Sequence, residues 1–393
     1  MSIVPPIAMS DPPAILGGPP AFPEGLPFLR PSVPPKERVL RDVETILSSG
    51  TLTNGPFVRR LEERAAEYLG VRHAVAVSSC TAGLMLVIRA AGLSGDALLP
   101  SFTFAATAHA AAWNHLRPVF ADVDAKTLTL SPDAVARTMG VRTSLILATH
   151  TFGTPCAVDE LSALARNSGI KLVFDAAHAF GSRHAGAPVG GFGDAEVFSL
   201  SPTKVLVASE GGIIATNDDL LAERCRIGRD YANPGDYDCL FIGLNARMSE
   251  IHAAIALASF EGLEQRIEHR NELAGLYIRA LANVPGISFP LVPQSDRSTY
   301  KDFTVLVEAG EFGIDAAELA RALAAEGIET KRYYAPPVHS MRAYRSLSGK
   351  NGSLSVTEAA ADRVLTLPLW SSMGSEEPLR VVQAIERIQR FLA

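Results

Sequence analysis

Residues 171–178 read KLVFDAAH, and residues 195–204 read AEVFSLSPTK. Each begins as an apolar, β-rich run and stops at polar residues: Asp175 in the first, Ser199 and then Lys204 in the second. A strand that ends this way presents the polar residue at its carboxyl edge, where α/β sheets keep their chemistry. An acid and an amine brought to one crevice suit a cofactor gripped at two ends. The acid keeps a pyridine nitrogen protonated and the amine condenses with an aldehyde, which is the protein's share of pyridoxal phosphate chemistry. Taken singly, an aspartate at a strand end caps the next helix, and a lone lysine sits in solvent. Their company in one pattern favours the chemical reading.

Outward from these segments the chain alternates. Strands HAVAVSS, DALLP, PVFADV, SLILATH, KLVFD, AEVFSL and GGIIAT are interleaved with helical runs such as TAGLMLVIRAAG and VDELSALARNSG. Such alternation predicts an α/β fold with a mostly parallel mixed sheet. From Ser249 to about Val284 the periodicity is that of one long helix joining two domains. Beyond it the pattern is α+β: strand KDFTVLVE, helix DAAELARALAAEG, strand ETKRYYAP and a C-terminal amphipathic helix. The expected organisation is a proline-rich, extended or disordered arm (1–35), a large domain (36–255) and a smaller one (256–393).

Composition narrows the partners. The 393 residues are 47% apolar and 20% charged, as in ordinary globular proteins. A net charge of -6 argues against nucleic acid or an anionic membrane as the main partner. No apolar run approaches the roughly 20 residues that span a bilayer, and residues 1–25 lack the charged and apolar regions of a signal peptide. Four cysteines are too sparse and irregular for a disulfide framework or a zinc site. The expectation is a reduced, cytoplasmic enzyme without a metal. Lysines number seven, against 29 arginines, so a lysine within an apolar stretch such as Lys204 needs explaining.

Further residues fit a pyridoxal phosphate site. Ala177 gives a methyl surface for a flat ring, and His178 stands beside it. Phosphate needs backbone N–H groups at a helix start plus hydroxyls, and Ser78–Gly83, with Cys80 and Thr81, offers both. Ser199 is a second hydroxyl. Phe104, at the start of a helical run, can stack on the ring face opposite Ala177.

Six motifs in order then carry a family resemblance: SGTLTNGP (49–56), SSCTAGL (78–84), PSFTFAAT (100–107), DAAHAFGS (175–182), FSLSPTK with EGG (198–212) and GLNARMSEIHAA (243–254). From about residue 26 to the C terminus the chain resembles fold-type I, pyridoxal-phosphate-dependent sugar aminotransferases of the DegT/StrS family. The resemblance implies a fold-type I large domain with a smaller C-terminal one. It makes Lys204 the residue that bonds the cofactor and shuttles the proton, with Asp175 on the pyridine nitrogen. Cys80, Thr81 and Ser199 would hold the phosphate, and Phe104 and Ala177 would sandwich the ring. Asn245 would reach the phosphate from a partner subunit, making a homodimer obligatory. Arg247 would either hold the donor's carboxylate or brace its own loop. Lysine stands where a dehydrating branch of the family has histidine, which favours transamination.

KRYYAPPVH (331–339) resembles the family's substrate-side segment. Read without the resemblance, it is an edge strand ended by two prolines. The resemblance assigns Tyr333, Tyr334 and His339 to sugar hydroxyls or diphosphate, and Arg332 to phosphate charge. It implies amination at carbon 4 of a dTDP-4-keto-6-deoxyhexose, with L-glutamate as donor. A 3-keto sugar is the runner-up, an inosose is third, and a cofactor-binding regulator without activity is the alternative of a different class.

Overall fold

The computed structural model describes residues 9–350 and 353–392. Seven strands make the central sheet: β1 His73–Val77, β2 Asp96–Pro100, β3 Arg117–Ala121, β4 Thr143–Thr149, β5 Lys171–Asp175, β6 Ala195–Ser199 and β7 Gly212–Thr216. Their spatial order is β1-β7-β6-β5-β4-β2-β3. The pairs β2/β3, β2/β4, β4/β5 and β5/β6 are parallel, and β7 is antiparallel to β6 and β1. Six strands therefore point one way. Reversed β7 starts where they end, with Gly212 opposite both Val77 and Ser199. The segments after β1, β5 and β6 and before β7 thus meet at one edge of the sheet.

Local sequence explains why the edge is so tight. β5 is buried from Leu172 to Asp175 and β6 along its whole length, so both read as continuous apolar runs rather than alternating ones. A Cβ on Gly212 would lie 2.7 Å from the backbone of Ser79 and Cys80, so only glycine lets β7 begin there. Gly83, in helix Cys80–Ala90, likewise lets that helix lie on β6, because a Cβ there would come within 2.7 Å of Val197.

A second core surrounds the antiparallel sheet β8 Ile287–Ser288, β9 Phe303–Val307 and β10 Val364–Leu367, in the order β8-β9-β10. Helices Leu263–Leu281, Ala316–Ala325 and Glu376–Leu392 pack on it. The mostly parallel mixed sheet and the α+β remainder are as expected. The long helix is not: it is two helices, Glu250–Ser259 and Leu263–Leu281, separated at Gly262, whose φ of 69° is left-handed. Packing changes over inside the second helix, where Ile267 belongs to the first core and Leu273 to the second. ETKRYYAP is no strand either. Lys331 bridges to Thr366 and then the chain turns, Ala335 N donating to Arg332 O at 2.8 Å. Pro336 and Pro337, with no N–H, could not extend a ladder.

The proline-rich arm, expected to be extended or disordered, is held against the small domain. Residues 1–8 lie outside the described range, but from Pro12 onward the arm is bound to the small domain. Ala21, Leu26 and Phe28 are buried, and Leu26 N donates to Gly327 O at 2.7 Å. Its fastening is a buried carboxylate. Glu326 accepts from Ala14 N at 2.9 Å and Ala21 N at 2.7 Å, and pairs with buried Arg387, which also donates to Pro19 O. Proline-rich chain needs few backbone partners, so one acid and a few apolar contacts suffice to order it. Removing one member of a buried pair leaves the other charge uncompensated, typically costing about 3–5 kcal/mol. Glu326→Ala is therefore expected to lower unfolding free energy by about that much in chemical denaturation, and to open the arm to proteolysis.

Two of the sequence motifs explain each other. Buried Glu250, after GLNARMS, accepts from Gly55 N, Phe57 N and Val58 N at 2.8, 2.8 and 2.9 Å. It thereby caps the start of helix Pro56–Leu69 in place of a local cap. A Cβ at Gly55 would lie 2.8 Å from the Glu250 carboxylate, which accounts for the glycine of TNGP.

Candidate active site

A cavity of about 500 Å³ opens at the convergent edge of the large sheet. Asp175, Ala177 and His178 enter it from the end of β5, Ser199 from β6, and Lys204 from the loop after β6. Cys80 and Thr81 line it from the start of helix Cys80–Ala90, and Phe104 from just before helix Ala105–Trp113. From the small-domain side come Tyr333 and Tyr334. Ten residues singled out in the sequence therefore share one cavity.

Asp175 is 4% exposed. Thr107 Oγ1 donates to its Oδ2 at 2.7 Å and Ala177 N to its Oδ1 at 3.1 Å. Thr107 is itself held by Thr103 at 2.8 Å, and Thr103 by Thr149 at 3.1 Å, a chain of buried hydroxyls fixing the carboxylate. Burial pushes the Asp175 carboxyl above the usual range, although Thr107, the Ala177 amide, Lys204 and His150 oppose it. No ion pair reaches it among the described residues. A buried carboxylate in that condition calls for a cation. A pyridinium N–H answers that need.

Lys204 is mostly buried. Desolvation first, and the Lys301 ammonium second, bring its amine down to about 8, with Asp302, Cys80 and Asp175 pulling the other way. Desolvation is how proteins make a lysine nucleophilic near neutral pH. Capture of added pyridoxal phosphate by the apoenzyme, followed by absorbance, should therefore accelerate as pH rises through about 8 and level off above it. An unperturbed lysine would keep accelerating to above pH 10.

The phosphate end is built by helix Cys80–Ala90. Ser79 caps it, accepting from Ala82 N at 3.1 Å, while the first N–H groups face the cavity end. Ser199 Oγ donates to Ser201 Oγ at 3.3 Å, and both line the cavity. The Cys80 thiol donates to Val197 O at 3.4 Å, so this residue offers its backbone rather than its sulfur. Phe104 is 63% exposed, a large apolar ring with a free face at the cavity. Anion cradle, free ring face, buried amine and uncompensated acid together fit pyridoxal phosphate.

Four expected residues lie elsewhere in the single chain. Arg332 donates to the carbonyls of Val364, Ala361 and Asp362, capping helix Ser355–Arg363 instead of facing the cavity. His339 is buried between Ser101 Oγ, 2.7 Å from its Nδ1, and Glu358, 3.4 Å from its Nε2. Arg247 pairs with Asp230 and lies 5.4 Å from the centre of the Tyr231 ring, bracing its own loop. Asn245 is exposed on the same segment, bridged to Asp230.

Sequence reasoning missed Thr107, the arm residues Phe28 and Leu29, and the pair Lys301–Asp302, the last four of which line the cavity. Thr107 closes PSFTFAAT, and its position one helical turn after Thr103 was the available signal. Lys301 was also detectable, as one of only seven lysines, placed at the start of an apolar strand.

The family model of the DegT/DnrJ/EryC1/StrS aminotransferases matches residues 35–386. The chain belongs to that family. Accordingly it is a pyridoxal-phosphate-dependent sugar aminotransferase, on a fold-type I scaffold. It is 31% identical to the Escherichia coli dTDP-4-amino-4,6-dideoxy-D-glucose transaminase, over 92% of this chain and 98% of the other. It is 32% identical to the Bacillus subtilis spore coat polysaccharide biosynthesis protein SpsC, over 92% and 97%. Among solved structures, DesI in the presence of its TDP-sugar product superposes with a TM-score of 0.91 and 38% identity, covering 97% of both chains. The family match spans nearly all the described chain, and the cavity holding Asp175 and Lys204 lies within it.

Proposed function

We propose that the chain transfers the amino group of L-glutamate to carbon 4 of a dTDP-4-keto-6-deoxyhexose. The products would be 2-oxoglutarate and a 4-amino-4,6-dideoxy sugar nucleotide. The observation that carries this reading is the make-up of the cavity. It joins the Asp175–Lys204 pair to an aromatic flank of Phe28, Tyr333 and Tyr334 and to two further lysines, Lys301 and Lys331. Aromatic faces suit a sugar ring or thymine, and the exposed Lys331 ammonium suits a diphosphate. Relatives named for dTDP-4-amino-4,6-dideoxy-D-glucose and for a TDP-sugar product support the choice of ligand.

Bound pyridoxal phosphate supplies an aldehyde carbon and an electron-withdrawing ring that carries nitrogen between the two substrates. Asp175 keeps the proton on the pyridine nitrogen, held in line by Thr107 and the Ala177 amide. The start of helix Cys80–Ala90, with Ser199, holds the phosphate. Ala177 and Phe104 would flank its ring. Lys204 Nζ takes the proton from the donor's α-carbon and returns one to the carbon that becomes the amine-bearing centre.

A homodimer with shared sites is part of the proposal. Asn245 would enter the partner's site, and nearby Tyr237, Leu240 and Ile242 are 91%, 63% and 76% exposed, an apolar group that asks for cover. We place the enzyme in the cytoplasm, in deoxysugar assembly for a secondary metabolite or a surface glycan. The test is incubation with L-glutamate and a panel of nucleotide keto sugars, with NMR of the product. Nitrogen at carbon 4 of a dTDP-6-deoxyhexose is expected. Nitrogen at carbon 3, or turnover of an inosose alone, would refute the reading.

A further inference from the structure

The small domain meets the cofactor-binding edge through residues 298–302, just before β9. Thr299 Oγ1 donates to His178 O at 2.6 Å, and Lys301 N to Phe152 O at 3.0 Å. Gly153 permits the approach: its φ is 95°, and a Cβ there would lie 2.0 Å from Thr299 Oγ1. At the end of this stretch Lys301 and Asp302 enter the cavity, each 4% exposed. Lys301 Nζ donates to Asp302 Oδ1 at 2.7 Å and lies 5.7 Å from the centre of the Tyr333 ring.

The other half of this contact is unfinished. Among the described residues Asp302 Oδ2 has no hydrogen-bond partner, and His178 Nδ1, 4.0 Å away, has none either, although both atoms are sealed from solvent. An unpaired buried polar atom is costly, because it has given up water without gaining a partner. The two are complementary, an acceptor facing a potential donor across the junction of the domains. Roughly 1 Å of approach would bring them into hydrogen-bond range, and substrate-driven closure of domains is a common way to gain it.

We propose that Asp302 is a positioning residue of the aminotransferase site: its carboxylate bridges Lys301 and His178 Nδ1, holding His178 as the Nδ1–H tautomer with Nε2 as the acceptor beside the cofactor. Two observations and one general rule support it. Burial, and then the Lys204 and Lys301 charges, hold His178 well below its usual range, so the ring is neutral and carries a single N–H. A carboxylate at one ring nitrogen decides which nitrogen bears that proton. Lys301 balances the Asp302 charge, so the carboxylate can be buried in the cavity without leaving an uncompensated charge of its own. The charged groups facing His178 are thus Lys204 from the large domain and Lys301 and Asp302 from the small one. His178 acts against the cofactor itself; Asp302 acts through His178.

The inference rests on the aminotransferase assignment and not on the identity of the sugar. Its test therefore uses the half-reaction of the holoenzyme with L-glutamate, read by cofactor absorbance with no sugar present. Asp302→Ala is expected to slow this half-reaction by on the order of 10–100-fold, with Asp302→Glu recovering much of the loss. In a His178→Gln background the same alanine substitution should cost almost nothing more. Equal losses in both backgrounds would overturn the proposal. Nitrogen-15 NMR of histidine-labelled holoenzyme provides a second reading in Asp302→Asn, which preserves shape if the alanine variant folds poorly. A proton on Nδ1 in the native enzyme, lost or weakened in the variant, supports the bridge. A proton on Nε2 in the native enzyme contradicts it.

Discussion

Replacing Lys204 with alanine is expected to lower kcat/KM by on the order of 10⁴-fold or more, since nucleophile and proton carrier are lost together. The other amines of the cavity cannot take over. Lys301 is tied to Asp302 at 2.7 Å, and Lys331 is exposed and paired with Glu329 at 2.9 Å. Lys204→Arg should be equally inactive, because guanidinium keeps its proton at any accessible pH. Thermal stability should not fall in Lys204→Ala. The wild-type amine is held down to about 8 by burial, so its charged form is a burden on the folded apoenzyme at pH 7. Half-reaction kinetics with glutamate, beside a melting curve, check both halves. Loss of activity together with a collapsed melting temperature would point to a structural lysine instead.

Asp175→Asn is the second large effect, on the order of 10²–10³-fold in kcat, with weaker cofactor retention on dialysis. The amide keeps the shape of the acid but cannot hold a proton on a pyridine nitrogen by charge. Apoenzyme stability should move the other way. Burial raises the carboxyl's folded-state proton affinity above the unfolded value, so the stability it contributes is present at low pH and fades as pH rises through the folded value. At pH 7 the ionised group therefore weighs against folding, and asparagine removes that weight. A variant that is slower yet more stable as apoenzyme marks a group kept for chemistry. Denaturant titration of cofactor-free protein at pH 7, alongside turnover, reads both.

The site's large-domain half was legible because its signals are local. KLVFD and AEVFSL are buried strands that end at their functional residues, so the switch from apolar to polar marks the sheet edge directly. EGG and SSCTAG lie beside one another because Gly212 needs the Ser79–Cys80 backbone at close range, and glycine and hydroxyl runs are visible in sequence. The small-domain half was legible only in Tyr333 and Tyr334 and, by its rarity, in Lys301. Lys301–Asp302 reads as the polar start of an ordinary strand, and nothing nearby reveals that His178 lies across from it. KRYYAPPVH misled for a related reason. Its tyrosines do face the cavity, but the turn after Lys331 sends Arg332 to the end of helix Ser355–Arg363 and His339 to Ser101. The arm's prolines resembled disorder, and the acid that orders them, Glu326, stands some 300 residues away.

The central claim is that Lys204 is the residue that bonds the cofactor. Borohydride reduction of the enzyme purified with pyridoxal phosphate, followed by peptide mass spectrometry, tests it directly. One reduced pyridoxyl phosphate group on the peptide containing Lys204, and none on those containing Lys301 or Lys331, is the predicted result. The same group on either of those lysines, or on none, would contradict the account.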